Sequence, residues 1–255
     1  MVETGVMLVS LKDVDEPLPE ILRRVGETEL DGVEFADWIW PLIEEDAPVE
    51  GVAAALSETG LDATTAMPPI GALEENLERY VEVYGAFGVE TFAVGFNDVT
   101  YFESPDRVRE AAARLSALVD RVDAHDMDVV YHNHTHEFTE LADGRIAFDL
   151  LVEETDRIGF EIDAAWVAVG GEDVAGVIER LDGRVPIVHL KDADLEAGTD
   201  VDPGEGDLDL EAIADAAVAA GAEWLNYEYS SPADPYASLE RGAERIAAYR
   251  DAVVR

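Results

Sequence analysis

Short apolar runs alternate with longer amphipathic segments from one end of the chain to the other. Between the runs, apolar residues recur at steps of three and four positions, which is the spacing of one helix face. The clearest helices predicted in this way lie over 75–87, 106–124, 210–220 and 236–253. The runs themselves predict strands at Gly5–Val9, Gly32–Phe35, Asp62–Ala66, Thr91–Gly95, Asp128–His132, Gly159–Asp163, Val185–His189 and Trp224–Tyr229.

Eight strand-helix units without a break in composition are typical of one (β/α)8 TIM barrel, an α/β fold, over residues 1–255. Val129-Val130 and Ile187-Val188 are apolar at consecutive positions, as strands buried on both faces require. A doubly wound open sheet is the alternative. It normally carries a phosphate-binding glycine loop after an early strand, and this sequence has no such loop.

Boundary signals support these elements. Ser104-Pro105-Asp106 places a capping residue and a proline where a helix is expected to begin. Gly60, Gly88 and Gly221 stand where helices are expected to end.

The charge is the outlier in the composition, since 17 basic and 58 acidic residues give a net charge of −41. Such a surface repels itself at low salt, and molar salt screens the repulsion to within about 3 Å. We interpret the acidity as a solubility device of a cytoplasmic protein from a halophilic cell. Acidic runs such as Glu44-Glu45-Asp46 are therefore expected to be solvated surface.

Several classes of protein are excluded or disfavoured by composition. The absence of cysteine excludes disulfides, thiolate nucleophiles and cysteine-bound zinc. No apolar run approaches the roughly 20 residues of a membrane span, and the N-terminus lacks the pattern of a signal peptide. Without a span we expect no membrane as partner. Phosphate binding depends on Lys and Arg, of which the chain has only 17, so we expect no nucleic acid as partner either.

Ionisable residues gather where the later strands are predicted to end, which is where barrels of this kind carry their functional side chains. Carboxylates are abundant and individually uninformative, but the chain has only five histidines. Four of these lie at the ends of the fifth and seventh strands. The four strand ends read Tyr131-His132-Asn133-His134-Thr135-His136-Glu137-Phe138, Glu161-Ile162-Asp163-Ala164-Ala165-Trp166, His189-Leu190-Lys191-Asp192 and Asn226-Tyr227-Glu228-Tyr229.

Each of these strand-end residues, taken alone, could have a purely structural role. His132 could be a hydrogen-bonded core histidine, Asp163 a cap of the following loop, and Glu228 a solvated strand end. Convergence of four such groups favours a cation between them, because it offsets their mutual repulsion. Carboxylates with one imidazole and no sulfur suit Mn²⁺ or Mg²⁺ first, with Co²⁺, Fe²⁺ or Zn²⁺ as alternatives.

A divalent ion of this kind can hold two neighbouring oxygens of a hydroxy-ketone and stabilise the enediolate formed when the α-proton leaves. Two glutamates facing each other across the ion would serve as base and acid. Lys191 would neutralise oxyanion charge, or else pair with Asp192 or Asp194. Trp166 offers a flat face for a sugar ring, or else packs under its loop. The glycines in Asp202–Asp207 predict a tight loop close to the barrel mouth.

These motifs resemble the xylose-isomerase-like TIM-barrel superfamily of sugar phosphate isomerases and epimerases. That superfamily shares its barrel with inosose dehydratases and apurinic endonucleases. The signatures are Tyr-His-Asn-His-x-x-Glu-Phe at 131–138, Asp163-x-x-Trp166, His189-Leu-Lys-Asp192, Gly204-Glu-Gly206 and the early Gly32-Val33-Glu34-Phe35. The resemblance covers most of the chain and implies a carbohydrate substrate and, as in many relatives, a homo-oligomer.

The resemblance also implies site residues. A single metal ion would be held by a strand-five Glu, a strand-six Asp, a strand-seven His and a strand-eight Glu. The corresponding residues here are Glu137, Asp163, His189 and Glu228. Catalytic roles would fall to Glu137, Glu228 and Lys191. Substrate contacts would be made by Glu34, His132, His134 and Trp166.

Two departures from the pattern bear on the reaction. Many sugar epimerases carry the strand-five Glu on the strand itself, where this chain has His132. Either Glu137 reaches back to the metal, or His132 or His134 replaces it. In addition, Trp166 stands where many epimerases have a histidine. Both features look more like the branch that acts on keto-sugars, keto-glycosides or inososes, where elimination is also found.

The leading hypothesis is a metal-dependent isomerase or epimerase of a keto- or aldo-sugar that works through an enediolate. The alternative is a metal-dependent lyase that dehydrates an inosose or a 3-keto-glycoside, with His132 or His134 as the acid. An apurinic endonuclease is less favoured, because its multi-metal relatives use histidines from early strands and this chain has none before His125. A sugar-binding protein with a decayed site is disfavoured by the intact ligand set.

Overall fold

Eight parallel strands close into a barrel in the computed structural model, which describes residues 2–36 and 49–253. The barrel strands are β1 (Glu3–Met7), β2 (Gly32–Phe35), β3 (Asp62–Ala66), β4 (Thr91–Val94), β5 (Asp128–His132), β6 (Gly159–Asp163), β7 (Ile187–Leu190) and β10 (Trp224–Tyr227). Neighbours follow chain order from β1 to β7, and β10 closes the ring between β7 and β1. The predicted TIM barrel is confirmed, and closure excludes the open sheet.

Helices lie between the strands. Within the described residues they are α1 (Leu18–Val25), α2 (Val49–Thr59), α3 (Ile70–Glu75), α4 (Leu77–Gly85), α5 (Pro105–Asp123), α6 (Ala147–Glu153), α7 (Ala164–Val169), α8 (Val174–Arg180), α9 (Leu210–Ala219) and α10 (Pro235–Val253). Three short 3-10 turns cover Leu8–Leu11, Val99–Phe102 and His136–Phe138. Among these residues no helix is both long and apolar enough to cross a membrane.

The predicted helix boundaries hold at most positions. Ser104 Oγ accepts the N–H of Arg107 at 3.4 Å and caps α5. Gly60, Gly88 and Gly221 have φ of +74°, +90° and +90°, which ends a helix at little steric cost.

The segment predicted as one helix over 75–87 is instead divided between α3 and α4. Asn76, at φ −131° and ψ 35°, separates the two helices. Its side chain donates to the Ala72 carbonyl at 3.3 Å, so it competes with the backbone for helical partners.

The strand bounds differ from the prediction mainly at the ends. β7 begins at Ile187 and not at Val185, because Pro186 has no N–H to donate to a ladder. β1 ends at Met7, where the chain enters the 3-10 turn Leu8–Leu11.

All four residues of β2 and of β7 are buried, as expected for strands covered on both faces. Any polar side chain on these strands therefore lies inside the protein and needs a partner there. Glu34 on β2 and His189 on β7 are two such residues, and each has no exposed surface. The strands thus carry ionisable groups into the barrel.

The glycine pattern predicts a tight loop close to the barrel mouth, and in the structure the loop after β7 is organised around Asp192. Strands β8 (Asp192–Asp194) and β9 (Thr199–Val201) form an antiparallel hairpin. The Asp192 carboxylate then accepts the N–H groups of Gly204 at 2.7 Å and Gly206 at 3.0 Å. The acidic run Glu44-Glu45-Asp46, predicted to be solvated surface, lies outside the described residues.

Candidate metal centre

A cavity of about 290 Å³ opens at the carboxyl ends of the barrel strands. Residues from several strand ends line it, among them Met7, Met67, Asn97, His132, His134, Trp166, Lys191 and Glu228. A larger cavity of about 460 Å³ lies at the opposite end, and its lining contains no histidine or lysine among the described residues. The two histidines and the lysine therefore distinguish the smaller cavity as the candidate site.

Asp163, His189 and Glu228 form a compact group beside this cavity. One potential ligand atom from each lies within 4.8 Å of those of the other two. Asp163 and His189 are paired across β6 and β7, and Glu228 directly follows β10, the next strand of the barrel. All three side chains are buried. Three of the four residues assigned to the metal by resemblance thus come together.

Lys191 lies between the carboxylates of this group. Its Nζ is 2.7 Å from Glu228 Oε1 and 3.3 Å from Asp163 Oδ2. Asp200 Oδ2 is 3.9 Å away, and the Trp166 ring centroid is 4.5 Å away. Burial opposes the charged amine, but the charges of Asp163 and Glu228 outweigh it and raise the pKa of Lys191. The alternative partner Asp192 is used by the glycine loop instead.

His189 sits between two carboxylates. Its Nδ1 is 2.7 Å from Glu228 Oε2, and its Nε2 is 2.8 Å from Glu34 Oε2. Burial would lower the pKa of His189, but the charges of Glu34 and Glu161 raise it well above its usual value. Conversely, burial would raise the pKa of Glu228, but Lys191 and His189 hold it well below its usual range. Glu228 is therefore an ionised carboxylate.

Glu161 is a functional candidate that the sequence interpretation missed. It lies on β6 two residues before Asp163, so both side chains point to the same side of the strand. Its Oε1 is 2.8 Å from His132 Nδ1. Burial, with a contribution from Glu228, raises the pKa of Glu161 to about 7. Burial and the neighbouring rings of His134 and His189 lower the pKa of His132 to about 3.

Glu137 occupies a different place from the one implied by the resemblance. Its Oε1 accepts the hydroxyl of Tyr131 at 2.6 Å, and its Oε2 accepts the N–H of His134 at 2.9 Å. With His134 and His136 it forms a second group, which does not include Asp163. Burial would raise the pKa of Glu137, but contacts with His134 and His136 lower it. The structure therefore does not place Glu137 in the group of Asp163, and its predicted role as a ligand gains no geometric support.

Of the four residues predicted to contact substrate, three line the cavity and one lies deeper in the barrel. His132, His134 and Trp166 line the cavity. Glu34 lies behind His189, where its Oε2 also accepts the Asn226 amide at 2.9 Å. Burial opposes a charged His134 ring, but the Glu137 carboxylate, whose Oε1 lies 3.7 Å from His134 Nδ1, outweighs this and raises the pKa of His134.

The donor set fits a divalent cation. Two carboxylates and one imidazole are oxygen and nitrogen ligands of the kind that borderline divalent ions accept. Asp163 Oδ2 is buried and has no hydrogen-bond partner among the described residues, although Lys191 Nζ lies 3.3 Å away. Glu34 Oε1 and Glu161 Oε2 are also buried without a hydrogen-bond partner among the described residues. Buried carboxylate oxygens without donors are costly, and a cation held by the group of Asp163 would satisfy Asp163 Oδ2.

Comparisons with known proteins agree with this fold. The sequence model of the family described as "xylose isomerase-like TIM barrel" matches residues 22–250. An inosose dehydratase of Geobacillus thermodenitrificans is 29% identical over 134 residues, which make up 45% of this chain and 44% of that protein. The match therefore spans less than half the length of that relative.

Solved structures extend the likeness to the whole barrel. A sugar phosphate isomerase/epimerase of Parabacteroides distasonis has a TM-score of 0.82 at 17% identity, over 96% of this chain and 98% of that chain. The IOLI protein, solved with a bound zinc atom, has a TM-score of 0.76 at 15% identity, over 99% and 98% of the two chains. At these identities the likeness concerns the fold.

Proposed function

Because the chain belongs to the xylose isomerase-like TIM barrel family, we propose that it is a divalent-metal-dependent isomerase or epimerase of a keto- or aldo-sugar. The observation that carries the proposal is the buried group of Asp163, His189 and Glu228 beside a cavity that Lys191 also lines. The reaction moves a proton at the carbon next to a carbonyl group, so it needs a base, an acid and a group that stabilises enediolate charge.

Asp163, His189 and Glu228 would hold the ion. When bound, a divalent ion supplies Lewis acidity at the carbonyl oxygen of the sugar. The two carboxylates favour Mn²⁺ or Mg²⁺, and the imidazole also admits Co²⁺, Fe²⁺ or Zn²⁺. A metal in a barrel of this fold is supported by the zinc-bound IOLI protein.

The residues around the cavity supply the remaining roles. Glu228 is the proposed proton acceptor, because its carboxylate lines the cavity. Lys191 balances the negative charge that develops on the substrate oxygen, since its ammonium group lies beside both carboxylates. His134 is the proposed proton donor, because it lines the cavity and its pKa is raised. Lys191 lies over one face of the Trp166 ring, and the rest of the ring is proposed to contact the sugar.

A metal-dependent dehydratase of an inosose or a 3-keto-glycoside is the second candidate. Elimination needs the same base and an acid for the departing hydroxyl or alkoxyl group. His134, with its raised pKa, stands at the cavity wall for that role. The partial likeness to an inosose dehydratase supports this candidate as well. An enone product indicates elimination, whereas a product of unchanged mass indicates isomerisation or epimerisation.

The proposal is tested by exchange of substrate protons with deuterated solvent on a panel of neutral keto- and aldo-sugars. Glu228→Gln is expected to lower the exchange rate at least about 100-fold, the usual contribution of a positioned base. Metal binding to the variant is measured calorimetrically, and exchange is compared at saturating metal. The exposed Glu103 provides the matched control, Glu103→Gln, which is expected to exchange at the wild-type rate. Wild-type exchange in a metal-loaded Glu228→Gln chain would remove Glu228 from the proton transfer.

A further inference from the structure

Two histidines at the barrel mouth each have a buried glutamate behind the ring. Glu161 Oε1 lies 2.8 Å from His132 Nδ1, and Glu34 Oε2 lies 2.8 Å from His189 Nε2. In metalloproteins a ligating histidine generally donates its second ring N–H to a carboxylate or carbonyl, which fixes the tautomer and the orientation of the ring. Both histidines have this arrangement.

The two histidines face the same region. Their ring centroids are 5.1 Å apart. His189 presents Nδ1 to Glu228 while Glu34 occupies its Nε2. In the same way, Glu161 occupies Nδ1 of His132. His132 lines the cavity, and the second nitrogen of its ring is Nε2. His132 therefore has one nitrogen held from behind and one available at the site.

Strand β5 offers no better donor to the group of Asp163. Glu137 is held by the Tyr131 hydroxyl and the His134 backbone. His134 belongs, with His136, to the separate group around Glu137. His132 shares a potential ligand group with His189 and Glu161, and it lines the same cavity as Glu228.

We propose that His132 is the ligand that β5 contributes to the metal centre, and that Glu161 and Glu34 are positioning residues that orient His132 and His189. This inference rests on the metal dependence proposed above. It gives the centre two imidazole donors. Two imidazoles move the preference away from Mg²⁺ and Mn²⁺ and toward Fe²⁺, Co²⁺ or Zn²⁺.

The test counts nitrogen ligands by electron paramagnetic resonance of Cu²⁺, added at one equivalent to the chelator-treated chain. Copper is chosen because it binds nitrogen sites tightly and its spectrum shows coupling to each imidazole. The wild-type chain is expected to show two coupled nitrogens, and excess Zn²⁺ is expected to displace the copper. His132→Gln is expected to show one nitrogen and at least tenfold weaker Zn²⁺ binding by calorimetry.

His134→Gln is the matched control, since it makes the same change two residues away and is expected to keep both couplings. Glu161→Gln and Glu34→Gln are expected to keep two nitrogens but to weaken Zn²⁺ binding by about 10- to 100-fold. Thermal unfolding of each metal-free variant shows whether weaker Zn²⁺ binding results from a loss of folding.

One coupled nitrogen in the wild-type chain overturns the assignment without any variant. Two nitrogens in His132→Gln, or the loss of one in His134→Gln, overturns it as well. In these cases metal binding itself stands, and so does the proposed function. A wild-type chain that binds neither Cu²⁺ nor Zn²⁺ overturns both.

Discussion

Lys191 and Glu228 form a buried ion pair at the end of the barrel, with 2.7 Å between Nζ and Oε1. The second carboxylate, Asp163, is 3.3 Å from the same ammonium group. A charge in such a place is stable only with its counter-charges, and removal of one partner leaves the others uncompensated. The lysine therefore lowers the negative charge of the group that is proposed to bind a cation.

Replacement of Lys191 by methionine separates metal binding from turnover. Lys191→Met removes the positive charge beside Asp163 and Glu228, so divalent ions are expected to bind as tightly as in the wild type or more tightly. Turnover is expected to fall at least about 100-fold, the scale of a lost electrostatic stabiliser of the oxyanion. The other lysine of the chain, exposed Lys12, provides the control Lys12→Met. Weaker metal binding in Lys191→Met, or unchanged turnover, would contradict this role.

A substitution at Glu137 tests whether this residue has a structural role or is a metal ligand. Glu137→Gln places an amide against the Tyr131 hydroxyl and the His134 N–H, and is expected to lower the free energy of unfolding by about 1–3 kcal/mol. Affinity for the metal is expected to stay within about threefold of wild type. Exposed Glu140→Gln is the control for both measurements. A loss of metal affinity of 100-fold without a loss of stability would restore Glu137 as a ligand.

The glycine loop beside Lys191 is sensitive to a single methyl group. A Cβ at Gly206 would lie 2.3 Å from Asp192 Oδ1 and 2.5 Å from the Ala193 carbonyl oxygen. Gly206→Ala is therefore expected to destabilise the chain by about 1–3 kcal/mol, as overpacking does. Gly85→Ala, where a Cβ meets nothing within 4 Å, is expected to be neutral or stabilising. Equal unfolding midpoints in denaturant for both variants would show that the loop adapts.

Salt is expected to stabilise the chain. At a net charge of −41 the folded state repels itself, and the screening length falls from about 10 Å at 0.1 M to about 3 Å at 1 M. The thermal midpoint is expected to rise between 0.1 and 2 M KCl, and equally in NaCl if screening is the cause. A midpoint that is constant or falls over this range would contradict the interpretation of the acidity.

Much of the barrel could be predicted because buried parallel strands leave a plain signal. The bounds of β2, β3, β5 and β6 are those that the apolar runs predict. Strand ends meet at one rim of a barrel, so Asp163, His189 and Glu228 could be brought together from sequence alone. These three residues stand at the ends of neighbouring strands.

The rest of the site depends on packing that a linear pattern does not contain. Glu161 is one of 58 acidic residues, so its residue type alone is uninformative. The available signal was its position two residues before Asp163, which places both side chains on the same side of a strand. That Glu34 supports His189 depends on an approach across the barrel between β2 and β7. The direction of Glu137 is set by the 3-10 turn His136–Phe138 and by Tyr131, neither of which the spacing of histidines reveals.

The central claim is that Asp163, His189 and Glu228 bind one divalent ion. Its most direct measurement is calorimetric titration of the chelator-treated chain with Mn²⁺ and with Zn²⁺, alongside Asp163→Asn and the exposed control Asp13→Asn. We expect one ion per wild-type chain, unchanged binding in Asp13→Asn, and binding weakened at least 100-fold in Asp163→Asn. No binding by the wild-type chain, or equal binding by Asp163→Asn, would contradict the account.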